Sequence, residues 1–274
     1  MASVNRKVLP GFSLTLGYTV AYLSLLVLLP IAACFVRAAS LSWGEFWGAV
    51  WTERARAAYA LTFGSSFVAA IVNLVLGALI AWVLVRYQFP GKRLIDSLVD
   101  LPLALPTAVG GLVYASLYVK NGWLGRYLVP LGIQGAYTRL GIVLVLVFVG
   151  LPFMVRAVQP VLEDLDVESE EASASLGATR FQTFRLVILP ALFPAMITGF
   201  ALAFARSVGE YGSVVFISGN MPYKTEIAPI LIVARLEEFA YGEATAIAVV
   251  LLVISLSLLI LINLLEGWTR RHAT

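Results

Sequence analysis

Residues 12–36 form an unbroken run of 25 positions without a charge. At 1.5 Å per residue a helix of this run reaches roughly 37 Å, enough to cross a bilayer's hydrocarbon layer with some tilt. Inside that layer every backbone N–H and C=O must be satisfied without water, and a run of this length and hydropathy selects the helix. Five further apolar runs follow at 59–85, 101–118, 140–155, 191–217 and 244–265. The expected fold is therefore all-α, an integral membrane protein with six transmembrane helices. With 60% apolar and 13% charged residues, the chain is too apolar to hide its surface in one soluble core.

The few charges exclude several function classes. The net charge of +3 is dispersed, with no basic run that traces a nucleic-acid backbone. Cys34 is the only cysteine and His272 the only histidine, so no intrachain disulfide or zinc cluster is expected and no metal site is assigned. There is no Ser/His or Cys/His pair, no H-E-x-x-H and no P-loop, so the chain is not read as an enzyme and does not hydrolyse ATP by that route. Arg6 and Lys7 precede the first run without a small-residue cleavage site, which reads as a signal anchor.

Residues 163–190 are the one long water-soluble insert between apolar segments. Asp166 is placed to cap a short helix whose first turn holds Glu168, Glu170 and Glu171, where the helix dipole favours negative charge. Gly177 can take the left-handed conformation that stops it. Thr179 and Gln182 have capping-box spacing and open a second helix with Phe181, Phe184 and Ile188 on one side, closed at Pro190. Two such helices make either a knob for a partner protein or an amphipathic connector lying in the headgroups.

Elsewhere the spans carry features with both packing and functional readings. Trp43, Trp47 and Trp51 recur every four residues in segment 40–58, an interfacial helix. Ala69, Asn73, Gly77 and Ala81 form a row that admits a close helix neighbour, with Asn73 able to hydrogen-bond across it. Pro102, Pro106, Gly110 and Gly111 kink the third span, a packing kink or a pathway wall. In the fifth span Ala201, Ala205 and Gly209 mark a close-packing edge, Arg206 and Glu210 stand at i, i+4, and Gly209 and Gly212 around Glu210 allow the helix to flex there. A charge inside a span should face the bundle interior, so Arg206, Ser207, Gly209, Glu210 and Pro106 are candidates for a pathway or gate as well as for a neutralising structural pair. The stretch 218–243 reads as an outer loop with an apolar, helix-like centre, and Trp268, Arg270 and Arg271 as interface anchors of the C-terminus.

The motif Glu171-Ala172-Ser173, three residues, Gly177, nine residues, then Val187, Leu189 and Pro190 resembles the EAA loop of ABC-importer permeases, E-A-A-x3-G-x9-I-x-L-P. Ser173 replaces the second alanine and Val187 the isoleucine. RKVLPGF, DLPLALPTAVGGL, PFMVRAVQPVLE, ARSVGEYGSVVFISGN and YKTEIAPILIVARLEEF extend the likeness along nearly the whole chain, which resembles the T-type permease of sulfate/thiosulfate ABC importers. The molybdate permease family shares parts of this pattern and is the alternative, as is an ion-coupled secondary transporter. The resemblance implies a type I importer permease fold with a cytoplasmic coupling-helix loop. It also implies ATPase docking through Glu170, Glu171, Ala172, Ser173, Gly177, Val187, Leu189 and Pro190, with ATP and Mg on the partner and no cofactor on this chain. The implied partners are a second homologous permease subunit, two ABC ATPase subunits, a periplasmic sulfate-binding protein and the lipid bilayer.

Six spans place both termini on one side. With the termini inside, ten basic residues lie on inner segments against eight on outer ones, a slight positive-inside bias, and the resemblance sets both termini in the cytoplasm of a bacterial cell. The expected divisions are a tail, first span and interfacial segment at 1–58, the importer transmembrane domain at 59–265, and a cytoplasmic tail at 266–274.

Overall fold

The computed structural model describes residues 12–272, without the side chains of residues 13 and 265–272. The expectations for Arg6, Lys7, Trp268, Arg270 and Arg271 therefore lie outside the described side chains. The first span is α1 (Phe12–Leu23) and α2 (Leu29–Ala39), joined by a π turn at Ser24–Leu28. Pro30 follows that turn at once; its ring crowds the carbonyl four residues back and it brings no N–H, and a widened turn accommodates both.

α3 (Trp43–Val50) opens on a reciprocal capping box in which Ser42 Oγ accepts from the Glu45 N–H and the Glu45 carboxylate accepts from the Ser42 N–H at 2.8 Å. The Ser42 hydroxyl, then its N–H, hold Glu45 below the usual carboxylate range. Trp43, Trp47 and Trp51 stack edge to face at 5.6 and 6.2 Å, as their spacing predicts. The interfacial helix is shorter than expected, because Thr52 caps α4 (Glu53–Arg86) by accepting from the Ala55 N–H at 3.1 Å. Residues 53–58 thus already belong to the second span.

The third segment is α5 (Lys92–Val99), α6 (Leu101–Ala104) and α7 (Thr107–Tyr118). Pro102 starts α6, and Pro106 caps α7 from an extended conformation, so the longest continuous piece is 12 residues, about 18 Å. Five helices among the described residues are long and apolar enough to cross a membrane, against the six expected, and the difference is this broken segment. After α8 (Gly125–Leu128) and a 3-10 turn at Val129–Leu131, α9 (Arg139–Glu163) runs well past the predicted end of the fourth span at 155.

The insert forms α10 (Val167–Ser175) and α11 (Arg180–Thr183), then a second π turn at Phe184–Ile188 leading into α12 (Leu189–Val208). Pro190 does not close the insert: it sits in the first turn of α12, and helix runs continuously from Arg180 to Val208. α13 (Val214–Ile217) follows a break. α14 (Ala228–Glu237) is the helix-like centre expected within the stretch 218–243, with Ala228, Ile230 and Leu231 buried against the bundle. α15 (Tyr241–His272) completes the chain.

The core is the contact of α4, α9 and α12. Ala69, Asn73, Gly77 and Ala81 are all buried, as their row predicts. Met154 of α9 fills the space over Gly77 on one side and Gly199 of α12 on the other; a Cβ on either glycine would come within 2.7 Å of it. Along α12 Gly199, Ala203 and Ser207 form a buried close-packing edge; of the predicted edge, Ala201 is also buried and Ala205 half-buried, while Gly209 is exposed. Asn73 packs over Gly150, where a Cβ would meet its amide nitrogen at 2.6 Å. Neither amide atom hydrogen-bonds a neighbouring helix, contrary to the sequence expectation, because the facing surface is glycine and alanine.

Candidate functional site

The knob 163–190 projects from one end of the bundle. Asp166 stands at the N-cap of α10 but its side chain accepts no cap hydrogen bond, so it acts there through charge alone, beside Glu168 and Glu170. At the other end Gly177 has φ +83°, the Gly177 N–H donates to Ala174 O and the Ala178 N–H to Ser173 O, the paired bonds of a Schellman cap. Thr179 and Gln182 form the predicted capping box of α11. Ser173 and Thr183 hydroxyls meet at 2.8 Å and hold the two short helices together.

The docking candidates divide by position. Glu171, Ala172 and Gly177 face outward at the tip; Ser173 and Glu170 turn toward the bundle; Val187, Leu189 and Pro190 form the root of α12. Glu170 pairs with Arg86 at the end of α4. Large apolar side chains are left in the open beside these charges, among them Leu176 at 89% exposure and Phe181 at 69%.

The second site lies at the opposite end of α12. Instead of the continuous span predicted to 217, helix stops at Val208 and resumes at Val214. Arg206 Nη1 lies 2.6 Å from Glu210 Oε2, while Glu210 Oε1 accepts from the Ser213 N–H and Ser213 Oγ, both at 2.9 Å. The carboxylate therefore neutralises the cation and caps the next helix at once, which is why it can sit at 2% exposure. Backbone from the broken third segment abuts this break. A Cβ on Gly111 would fall 2.2 Å from Ser213 O, and one on Gly212 2.2 Å from Thr107 Oγ1. Pro106, Glu210 and Gly212 thus belong to one junction of two interrupted helices, and the first turn of α7 has no side-chain cap on its N–H groups.

Arg206 keeps 33% of its side chain exposed. It continues at four-residue steps from Thr198 and Leu202, which line a groove of ≈ 460 Å³ between α9 and α12. Arg156, also on that groove, was not singled out from sequence. Its Nε donates to Asp100 Oδ1 at 3.0 Å, Nη2 to Asp100 Oδ2 at 2.5 Å and Nη1 to Asp96 Oδ1 at 2.6 Å, tying α5 to α9. An arginine inside a run that turns out to be helix was the available signal. A second unpredicted clamp is Arg54 with Glu226, two parallel bonds of 2.7 Å holding the start of α4 to the segment before α14.

The family model for the binding-protein-dependent transport system inner membrane component matches residues 73–271. The sulfate transport system permease protein CysT of Synechocystis sp. is 54% identical over 255 residues, covering 93% of this chain and 89% of that protein. Its namesake in Escherichia coli is 50% identical over 263 residues, 96% of this chain and 95% of that one. A solved bacterial ABC transporter involved in the import of the acidic polysaccharide alginate superposes with a TM-score of 0.76 at 14% identity, over 95% of each chain. The MetNI methionine ABC transporter in an inward-facing form gives 0.54 at 22% identity, over 85% of this chain and all of that one. At these identities the two structures bear on the fold alone, which this chain shares along most of its length. Because the family model takes in every helix from α5 to α14 and relatives share half their residues along nearly the full length, this chain belongs to the binding-protein-dependent transport system inner membrane components.

Proposed function

We propose that the chain is the T-type permease subunit of an ATP-driven importer of sulfate across a bacterial cytoplasmic membrane, with both termini in the cytoplasm. The observation that carries this reading is 50–54% identity to sulfate transport system permeases over 93–97% of the chain. The proposed assembly adds a second homologous permease, two ATPase subunits and a periplasmic sulfate-binding protein; ATP and Mg bind the ATPases, and this chain is non-catalytic.

The knob is the proposed ATPase contact. Leu176 and Phe181 lie open to water on a charged projection, a combination that supports a protein partner over a free surface. ATPase closure displaces α10, and the 29-residue helix from Arg180 to Val208, about 43 Å long, carries that displacement to the Arg206–Glu210 break. There a tetrahedral dianion finds a guanidinium one-third exposed and the first turn of α7, which has no side-chain cap.

The test is uptake of labelled sulfate by the assembled complex in vesicles loaded with its binding protein. Uptake is expected only with ATP; gradient-driven uptake by this chain alone would overturn the reading in favour of a secondary transporter, and stronger competition by molybdate than by sulfate would replace the substrate. In the same vesicles Arg206→Ala is expected to slow uptake about tenfold or more, and because it also leaves the buried Glu210 carboxylate without its counter-charge, the Arg206→Met, Glu210→Gln double variant is the control that separates transport from stability. Unchanged uptake returns Arg206 to a structural part.

A further inference from the structure

The knob is joined to the bundle by two routes. One is covalent, through α11 and the π turn Phe184–Ile188 into α12. The other runs from α10 to α4: Arg86, the last residue of α4, pairs through Nη2 with Glu170 Oε1. Both side chains are about three-quarters buried, and the guanidinium lies 5.3 Å over the Trp82 ring, so the cation is held from two sides. Trp82 in turn meets Phe184 edge to face at 5.8 Å, closing a ring of contacts from α4 through the π turn back to α10. Arg86 and Glu170 are 84 residues apart, so the pair is a tertiary brace and not a local helix contact.

The two routes differ mechanically. The covalent one passes through a π turn and over Pro190 and Pro194, positions where the ladder of helix hydrogen bonds is interrupted. The second delivers load at the end of a 34-residue helix whose small-residue face is packed directly on α9 and α12. We propose that the Arg86–Glu170 pair is a positioning strut that transmits movement of α10 to α4, so that both walls of the core move together when the knob is displaced. This rests on the reading that the knob docks an ATPase. Without the strut α10 pivots about the π turn, and ATP is hydrolysed with little movement of α4.

The test measures sulfate transported per ATP hydrolysed by the assembled complex in vesicles, with ATPase co-purification as a separate readout. Arg86→Glu is expected to keep the ATPase bound and hydrolysing while transport per ATP falls about tenfold, within the range by which residues away from both sites modulate coupling. Arg86→Lys retains most of the coupling, and Arg86→Glu combined with Glu170→Arg restores it. Wild-type coupling in Arg86→Glu overturns the strut; so does loss of the ATPase from that variant, which would make the pair a part of knob folding. The docking reading is judged independently, from whether the wild-type chain retains the ATPase and Gly177→Trp does not.

Discussion

Gly177→Trp is expected to release the ATPase from the complex and reduce sulfate uptake by about a hundredfold or more, the loss that follows when the contact coupling the motor is removed. The membrane bundle should stay folded. Within this chain nothing lies within 4 Å of a Cβ added at Gly177, so the indole has room and collides only with what docks there. The conformational penalty is confined to the cap: at φ +83° an L side chain costs about 1–2 kcal/mol, borne by the end of α10. Gly177→Asn separates bulk from backbone strain, because asparagine tolerates the left-handed region and is small. Partial uptake by the asparagine variant with none by the tryptophan variant assigns the effect to steric exclusion of a partner. Full uptake by Gly177→Trp would remove the knob from the coupling path, leaving the connector reading in its place.

What could be read from sequence in this protein was what is decided within one or two helical turns. The left-handed Gly177, the Thr179–Gln182 box, the tryptophan stack and the Arg206–Glu210 pair each depend on residues three or four apart, and all four are present. The pairs that were not foreseen join residues 56 to 172 positions apart: Arg156 with Asp96 and Asp100, Arg86 with Glu170, and Arg54 with Glu226. Nothing in local spacing says which helix ends become neighbours. Helix breaks fell between these cases. Pro106 announced the first, and Gly209 and Gly212 marked where the fifth span can flex, but hydropathy still carried that span to 217, whereas Glu210 turns forward to cap Ser213 and the helix stops. Two interruptions within apolar segments are tolerable together because each fills the other's gap, Gly111 against Ser213 and Gly212 against Thr107.

That mutual dependence gives Glu210→Ala a large expected effect on folding. It uncaps Ser213, strips the counter-charge from Arg206 and leaves a gap where two broken helices meet. Removing one partner of a buried pair costs roughly 3–5 kcal/mol, and with Arg206 one-third exposed we expect about 2–3 kcal/mol here, read as a fall in the thermal midpoint of the purified complex. Glu210→Gln should fall between: its side-chain oxygen still accepts from Ser213, but the guanidinium is unneutralised. The informative variant is Glu210→Gln combined with Arg206→Met, which removes both charges and keeps the cap. If the pair is only a structural neutraliser, this double variant recovers stability and uptake alike, since a charge pair replaced by neutral groups of similar volume often leaves a fold intact. If Arg206 also meets the passing dianion, stability returns and uptake does not. The second outcome is the one expected, because Glu210 is sealed inside the junction while Arg206 keeps one-third of its side chain exposed, at the i, i+4 position after Leu202 on α12.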